Sequence, residues 1–182
     1  NLIRSAQNYI YVEHQYPFHN VSLTQCLCES LQRNKNLKVV IITPVRTDLP
    51  TGVIGRYFDA SQDQIDEHLR LIYSIAPLRV GVYGLVTQEP KSKILKSIYV
   101  HSKLVIVDGK VMANGSANMD TLSFFKSSEF NVNFFNEAIS QETLERLARE
   151  HLEDYYTDDM KNNNFDRVFE AFRAAGDHNL RS

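Results

Sequence analysis

Lys38-Val-Val-Ile-Ile-Thr43 is the stretch that most constrains how this chain folds. Four apolar β-branched residues in a row leave neither face of a strand for solvent, because successive side chains point to opposite faces. Such a strand belongs in the middle of a sheet covered on both sides. The covers are legible too. Ser22 is placed to cap a helix bearing Leu23, Leu27 and Leu31 on one face. Ser61 and Gln64 form a capping box ahead of the stripe Ile65, Leu69, Ile72 and Ala76. Ser140 opens a third helix with the stripe Leu144, Leu147, Ala148, His151, Leu152 and Tyr155, where His151 reads as a structural or surface group. Phe165, Val168, Phe169 and Phe172 repeat at helical spacing and predict a terminal helix docked on the domain.

Between these helices lie further strand patterns: Asn8–Glu13, Val80–Val86, Ile98–Val107, Val111–Ala113 and Glu129–Phe135. Asp108-Gly109 suits a hairpin turn between two of them. Asp48–Ser61, with Pro50 and Gly52, reads as a surface excursion, and the lysine-rich Thr87–Ser97 as a loop. Alternating strands and helices followed by a hairpin predict an α/β fold, a mixed β-sheet flanked by helices on both faces. The expected division is a catalytic lobe over residues 1–156 and a C-terminal helical extension over 157–182.

Twenty Lys and Arg stand against twenty-two Asp and Glu, a formal net charge of -2. That balance makes a nucleic-acid partner, whose backbone is held by concentrated positive charge, the less favoured reading, and leaves room for a local basic groove. Cys26 and Cys28 sit two apart on a predicted helix, point to different faces and predict no disulfide. No apolar run is long enough for a membrane-spanning helix, so the chain reads as soluble or peripheral to a membrane.

The chemistry concentrates in His101-Ser-Lys103-Leu-Val-Ile-Val-Asp108, followed six residues on by Gly115-Ser116-Ala-Asn118. A single H-x-K is commonplace; the whole string at this spacing is specific. A neutral imidazole is a usable nucleophile near neutral pH, so His101 could attack phosphorus. On the predicted strand, period two puts Lys103 on the same face, where its charge would neutralise phosphate oxygens. Asn118 and Ser116 can donate to the same oxygens, and Ser116 can instead organise the loop. Gly115 permits close backbone approach. Glu129 is the best candidate to orient the His101 ring. Asp108 leads into the turn, where a structural role competes with a catalytic one. No metal site is expected, because no further ligand has suitable spacing.

These residues resemble the HKD motif of the phospholipase D superfamily. The match runs HSKLVIVD from His101 to Asp108, then GSAN from Gly115 to Asn118. A second stretch, YIYVEHQY from Tyr9 to Tyr16, is similar to the I-Y-I-E-N-Q-Y/F segment upstream of the second motif in two-motif members; His14 replaces the usual Asn. The resemblance implies a histidine nucleophile or general acid at His101, phosphate binding by Lys103 and Asn118, and support of the histidine by Glu129. It also brings Glu13 and Gln15 towards the substrate pocket. Asn118-Met-Asp120-Thr-Leu122-Ser123 is similar to the N-x-D-x-R-S of bacterial cardiolipin synthases, with Leu122 in place of the arginine.

The implied function is hydrolysis or transfer of the phosphatidyl group of a phospholipid, with no cofactor. The family mechanism uses two histidines and this chain has one motif. A second HKD lobe is therefore implied, from the same longer chain or from a homodimer partner. The upstream match, the non-Met start and the small size favour the C-terminal half of a longer protein. The alternatives are a homodimeric HKD nuclease, a cardiolipin synthase-like phosphatidyltransferase and a noncatalytic binding lobe.

Overall fold

The computed structural model describes residues 2–45, 62–88 and 94–179. The expected excursion at Asp48–Ser61, the Ser61 capping box and the centre of the lysine-rich segment lie outside the described residues. In chain order the elements are α1 (Leu2–Ser5), β1 (Tyr9–His14), α2 (Val21–Arg33), β2 (Lys38–Ile42), α3 (Gln62–Ile75), β3 (Val80–Tyr83), β4 (Val86–Gln88) and β5 (Leu95–Ser97). There follow β6 (Lys103–Val107), β7 (Val111–Gly115), α4 (Thr121–Phe125), β8 (Asn131–Phe134), α5 (Glu137–Leu152) and α6 (Phe165–Asn179), with two short 3-10 turns between α5 and α6.

Six strands form one sheet in the order β3-β2-β1-β6-β7-β8. β1, β2 and β3 are parallel, and β6, β7 and β8 join antiparallel. The sheet is mixed, as the alternation of elements predicts. Val39 to Ile42 of β2 are almost wholly buried. Alternation along the strands splits their side chains between two cores. Ile10, Val12, Val39, Ile41, Val105 and Val107 face Leu27 and Leu31 of α2 and Ile65 and Ile72 of α3. Tyr9, Tyr11, Val40, Ile42, Leu104 and Ile106 face Leu144, Ala148 and Leu152 of α5 and Phe165, Val168, Phe169 and Phe172 of α6. The terminal helix thus shares a core with β1 and β2. Burying each of its phenylalanines contributes roughly 1.5–3 kcal/mol.

Several boundaries differ from the sequence reading. The capping residue of α2 is Asn20, whose side chain accepts from the Ser22 and Leu23 amides. That of α5 is Asn136, and Ser140 lies within the helix, its hydroxyl donating to the Asn136 carbonyl. Both caps fall upstream because an Asn side chain reaches the free amides as well as Ser does. Val80–Val86 is two strands in different sheets, and Thr87–Ser97 is not wholly loop, since β4 and β5 pair antiparallel. The strand expected from Ile98 begins only at Lys103. Its neighbour β1 ends at His14, directly opposite Lys103, so the regular pairing stops there; beyond it the Gln15 amide donates to the Ser102 carbonyl and the Ile98 amide to the Leu85 carbonyl.

Candidate active site

Strand register brings the motif residues to one end of the sheet. Lys103 opens β6 opposite His14 at the end of β1. Leu104 pairs with Asn114, so Gly115, Ser116 and Asn118 follow from β7 at that same end. Gly115 pairs with Asn131, which puts Glu129 just before β8 there as well. A side chain on Gly115 would strike the Phe130 carbonyl and Asn131, so glycine is required where β8 closes in.

His101 is exposed, two residues ahead of β6, with its ring offset from that of Tyr99 by 6.4 Å. Lys103 is half-buried. Its ammonium donates to Gln15 Oε1 and to the His101 carbonyl, each at 2.8 Å. Gln15 is buried, and its amide nitrogen also donates to the hydroxyls of Tyr99 (2.6 Å) and Tyr16 (3.0 Å). Gln15 therefore aims the lysine and lashes it to the segment preceding β6. Asn118 is half-buried with Oδ1 inside the protein and no partner among the described residues. Such a polar atom is costly unless another group meets it.

The Glu129 carboxylate is engaged by Ser116, whose hydroxyl donates to Oε2 at 2.5 Å and accepts from the Phe130 amide. Of the two roles open to Ser116, the loop-organising one is the one visible. Glu129 has no hydrogen bond to the His101 ring; both groups are exposed at the mouth of the site. Asp108 lies at the other end of β6. Its carboxylate accepts from the backbone amides of Gln7, Asn8 and Tyr9 at 2.9, 2.7 and 2.8 Å. It is buried and pins the start of β1, a structural task far from His101 along the strand.

Some contacts of the site were not foreseen from the sequence. His14 is 2% exposed; its Nδ1 accepts from the Tyr16 amide. Burial first, then the charge of Lys103, push its pKa down to about 3. It is a neutral polar group at working pH, as the Asn usual in that place would be. Glu13 is buried yet ionised. Burial alone would raise its pKa, but hydrogen bonds from His151 and Ser102, with the His151 charge and the Tyr11 hydroxyl, hold it below the usual range. Ser102 and His151 carried only weak signals: a serine between two motif residues, and a histidine on an apolar helical stripe. Among the described residues no group of three or more His, Cys, Asp or Glu is arranged to hold a metal ion.

Residues 1–151 match the family model described as "Cardiolipin synthase, PLD-like domain". The chain belongs to the phospholipase D superfamily. A curated relative, phospholipase D C of Dictyostelium discoideum, is 27% identical over 143 residues, 68% of this chain but 9% of that protein. The chain therefore spans about a tenth of that relative's length. Among solved structures, NucT from Helicobacter pylori superposes with a TM-score of 0.53 at 16% identity, covering 83% of this chain and 82% of that one. The phospholipase D family member Nuc from Salmonella typhimurium gives 0.52 at 20% identity, over 82% and 81%. Phosphatidylserine synthase of Haemophilus influenzae gives 0.56 at 16% identity, over 95% of this chain and 39% of that one. At these identities the structures attest the fold, a phospholipase D-like α/β lobe.

Within that superfamily the Asn118-to-Ser123 stretch has a clear local function. Asp120 is buried and caps α4, accepting from the Ser123 amide at 2.6 Å. Leu122, where the synthase pattern has arginine, is half-buried in α4. No helix among the described residues is long and apolar enough to cross a membrane.

Proposed function

We propose that this lobe supplies one half of a histidine-based phosphodiesterase site that hydrolyses or transfers the phosphatidyl group of a phospholipid. The observation that carries the reading is the placement of exposed His101 beside a lysine held by Gln15, with Asn118 and Ser116 delivered to the same sheet end. The substrate class is supported by the printed names of the family model, the Dictyostelium relative and the Haemophilus structure, which all concern phospholipids.

In the proposed reaction one histidine nitrogen bonds to phosphorus while the bond from phosphorus to the departing alcohol oxygen breaks. A second histidine protonates that oxygen. The second histidine then takes a proton from water or an acceptor alcohol, whose oxygen displaces the first histidine from phosphorus. Lys103 and Asn118 hold the non-bridging oxygens as charge builds on them. Glu129 supports the His101 ring once substrate closes the site, and Glu13 and Gln15 back the pocket. His101 is assigned the general acid–base part and the second lobe the nucleophile. That lobe comes from the same longer chain or from a second copy, and no cofactor is used.

The test is release of phosphatidic acid from phosphatidylcholine and phosphatidylethanolamine vesicles by a two-motif species. His101→Ala is expected to lower turnover by roughly 10²–10⁴-fold, the usual contribution of a positioned acid or base. Turnover unchanged in that variant would overturn the reading. Transfer is distinguished from hydrolysis by adding glycerol or ethanol and looking for the corresponding phosphatidyl alcohol.

A further inference from the structure

Ser102 lies between the two motif residues and is held at both ends. Its carbonyl accepts from the Gln15 amide at 3.1 Å. Its hydroxyl donates to Glu13 Oε1 at 2.6 Å. The other carboxylate oxygen, Oε2, accepts from His151 Nε2 at 3.1 Å and from the Tyr11 hydroxyl at 3.2 Å. Both side chains of the Glu13–His151 pair are about nine-tenths buried. His151 belongs to the last turn of α5, packed on the sheet face opposite α2 and α3.

This arrangement is costly for stability alone. A buried hydrogen-bonded polar pair is commonly no more stabilising than apolar side chains of the same shape. The surroundings of Glu13 are otherwise an apolar core, with Tyr11, Leu104, Ala148 and Leu152 buried in it. What the pair adds is direction. The segment ahead of β6 is paired through its ends, Ile98 to the Leu85 carbonyl and Ser102 to the Gln15 amide, and His101 lies between them outside the regular ladder. The carboxylate fixes the residue immediately after His101, and His151 fixes the carboxylate.

We infer that Glu13 and His151 form a positioning pair that sets the His101–Lys103 segment through Ser102, from the back of the sheet. None of the three needs to touch substrate. The inference rests on the proposed role of His101, but its first readout does not depend on turnover.

That readout is the NMR spectrum of the His101 ring in the 182-residue chain, assigned by loss of its signals in His101→Ala. Ser102→Ala and His151→Leu are each expected to move the ring signals and their titration midpoint together. Ser102→Thr and His151→Gln keep the hydroxyl and the donor and are expected to restore them. Ring signals unmoved in both Ser102→Ala and His151→Leu, with both variants folded by circular dichroism, would overturn the inference whatever the enzyme does. Ser102 is half-buried and small, so its alanine variant keeps the test open should the helix variant unfold.

The second readout is turnover by the two-motif species. Ser102→Ala is expected to lower kcat about 10- to 100-fold with KM within about threefold, as small misplacements of a catalytic group do. The double variant with His151→Leu should be no worse than the poorer single one. Shifted ring signals together with unchanged kcat would reject the catalytic reading of His101 while leaving the positioning intact. Additive losses in the double variant would reject the pair as one device.

Discussion

His14 and His19 are each 2% exposed, and their chemistry makes a pH prediction at the scale of single residues. Burial is the main cause of both depressed values, about 3 for His14 and about 4 for His19. The Lys103 charge adds to the first; the Asp120 charge opposes the second. The unfolded chain takes a proton at each near pH 6.5, where the folded chain refuses it. Stability is therefore full above about pH 6.5. It falls by about 1.4 kcal/mol per pH unit for each histidine, down to the folded values. Urea midpoints at pH 7.5, 6 and 5 should decline accordingly, and His14→Asn should remove about half of the slope. Glu13 acts in the opposite range: its lowered pKa contributes stability that is lost only as pH falls below the ordinary carboxylate value.

At the scale of elements, β6 serves two ends differently. Its start carries Lys103 and its finish carries the turn, where Asp108 (φ 53°) and Gly109 (φ 62°) both take positive φ. The Lys110 amide closes that turn on the Val107 carbonyl. Asp108→Ala removes the acceptor of three backbone amides and should cost about 2–4 kcal/mol, as charged hydrogen bonds of this kind do. Turnover per folded molecule should stay near wild type. A large loss of turnover at unchanged stability would instead make Asp108 catalytic. Helix α6 is tested by Phe169→Ala, which vacates a core position 2% exposed. A loss of about 3–5 kcal/mol is expected by chemical denaturation.

At the scale of the whole molecule, two exposed phenylalanines neighbour the site residues in sequence. Phe125 and Phe130 are 75% and 74% exposed, and they flank the Asn118 and Glu129 ends of the site in sequence. Under the proposed function, these exposed aromatic groups would suit coverage by a second lobe. Turnover is expected only in species that carry two motifs. Fractions of defined mass from light scattering, assayed one by one, check this: a monomer of this chain should be inactive, and a dimer or two-motif protein active. Phe125→Ser with Phe130→Ser should weaken the pairing and leave the thermal melt of the monomer within a few degrees.

The sequence by itself determined the layered α/β plan and the motif. Val39 to Ile42 demanded cover on both faces, and helical stripes at Leu27–Leu31 and Phe165–Phe172 supplied it; these are periodic signals that depend only on local geometry. That His101, Lys103, Gly115, Ser116 and Asn118 come to one end of the sheet was legible because their spacing falls within one hairpin. Tertiary structure alone decided what long-range pairing controls. It stopped β6 at Lys103, because β1 ends opposite. It gave Gln15 to Lys103, 88 residues away, and Glu13 to His151, 138 residues away. It turned the Asp108 carboxylate towards the start of β1, about 100 residues back. A side chain's partner across a sheet is set by register and burial, and neither is written in the residues adjacent to it.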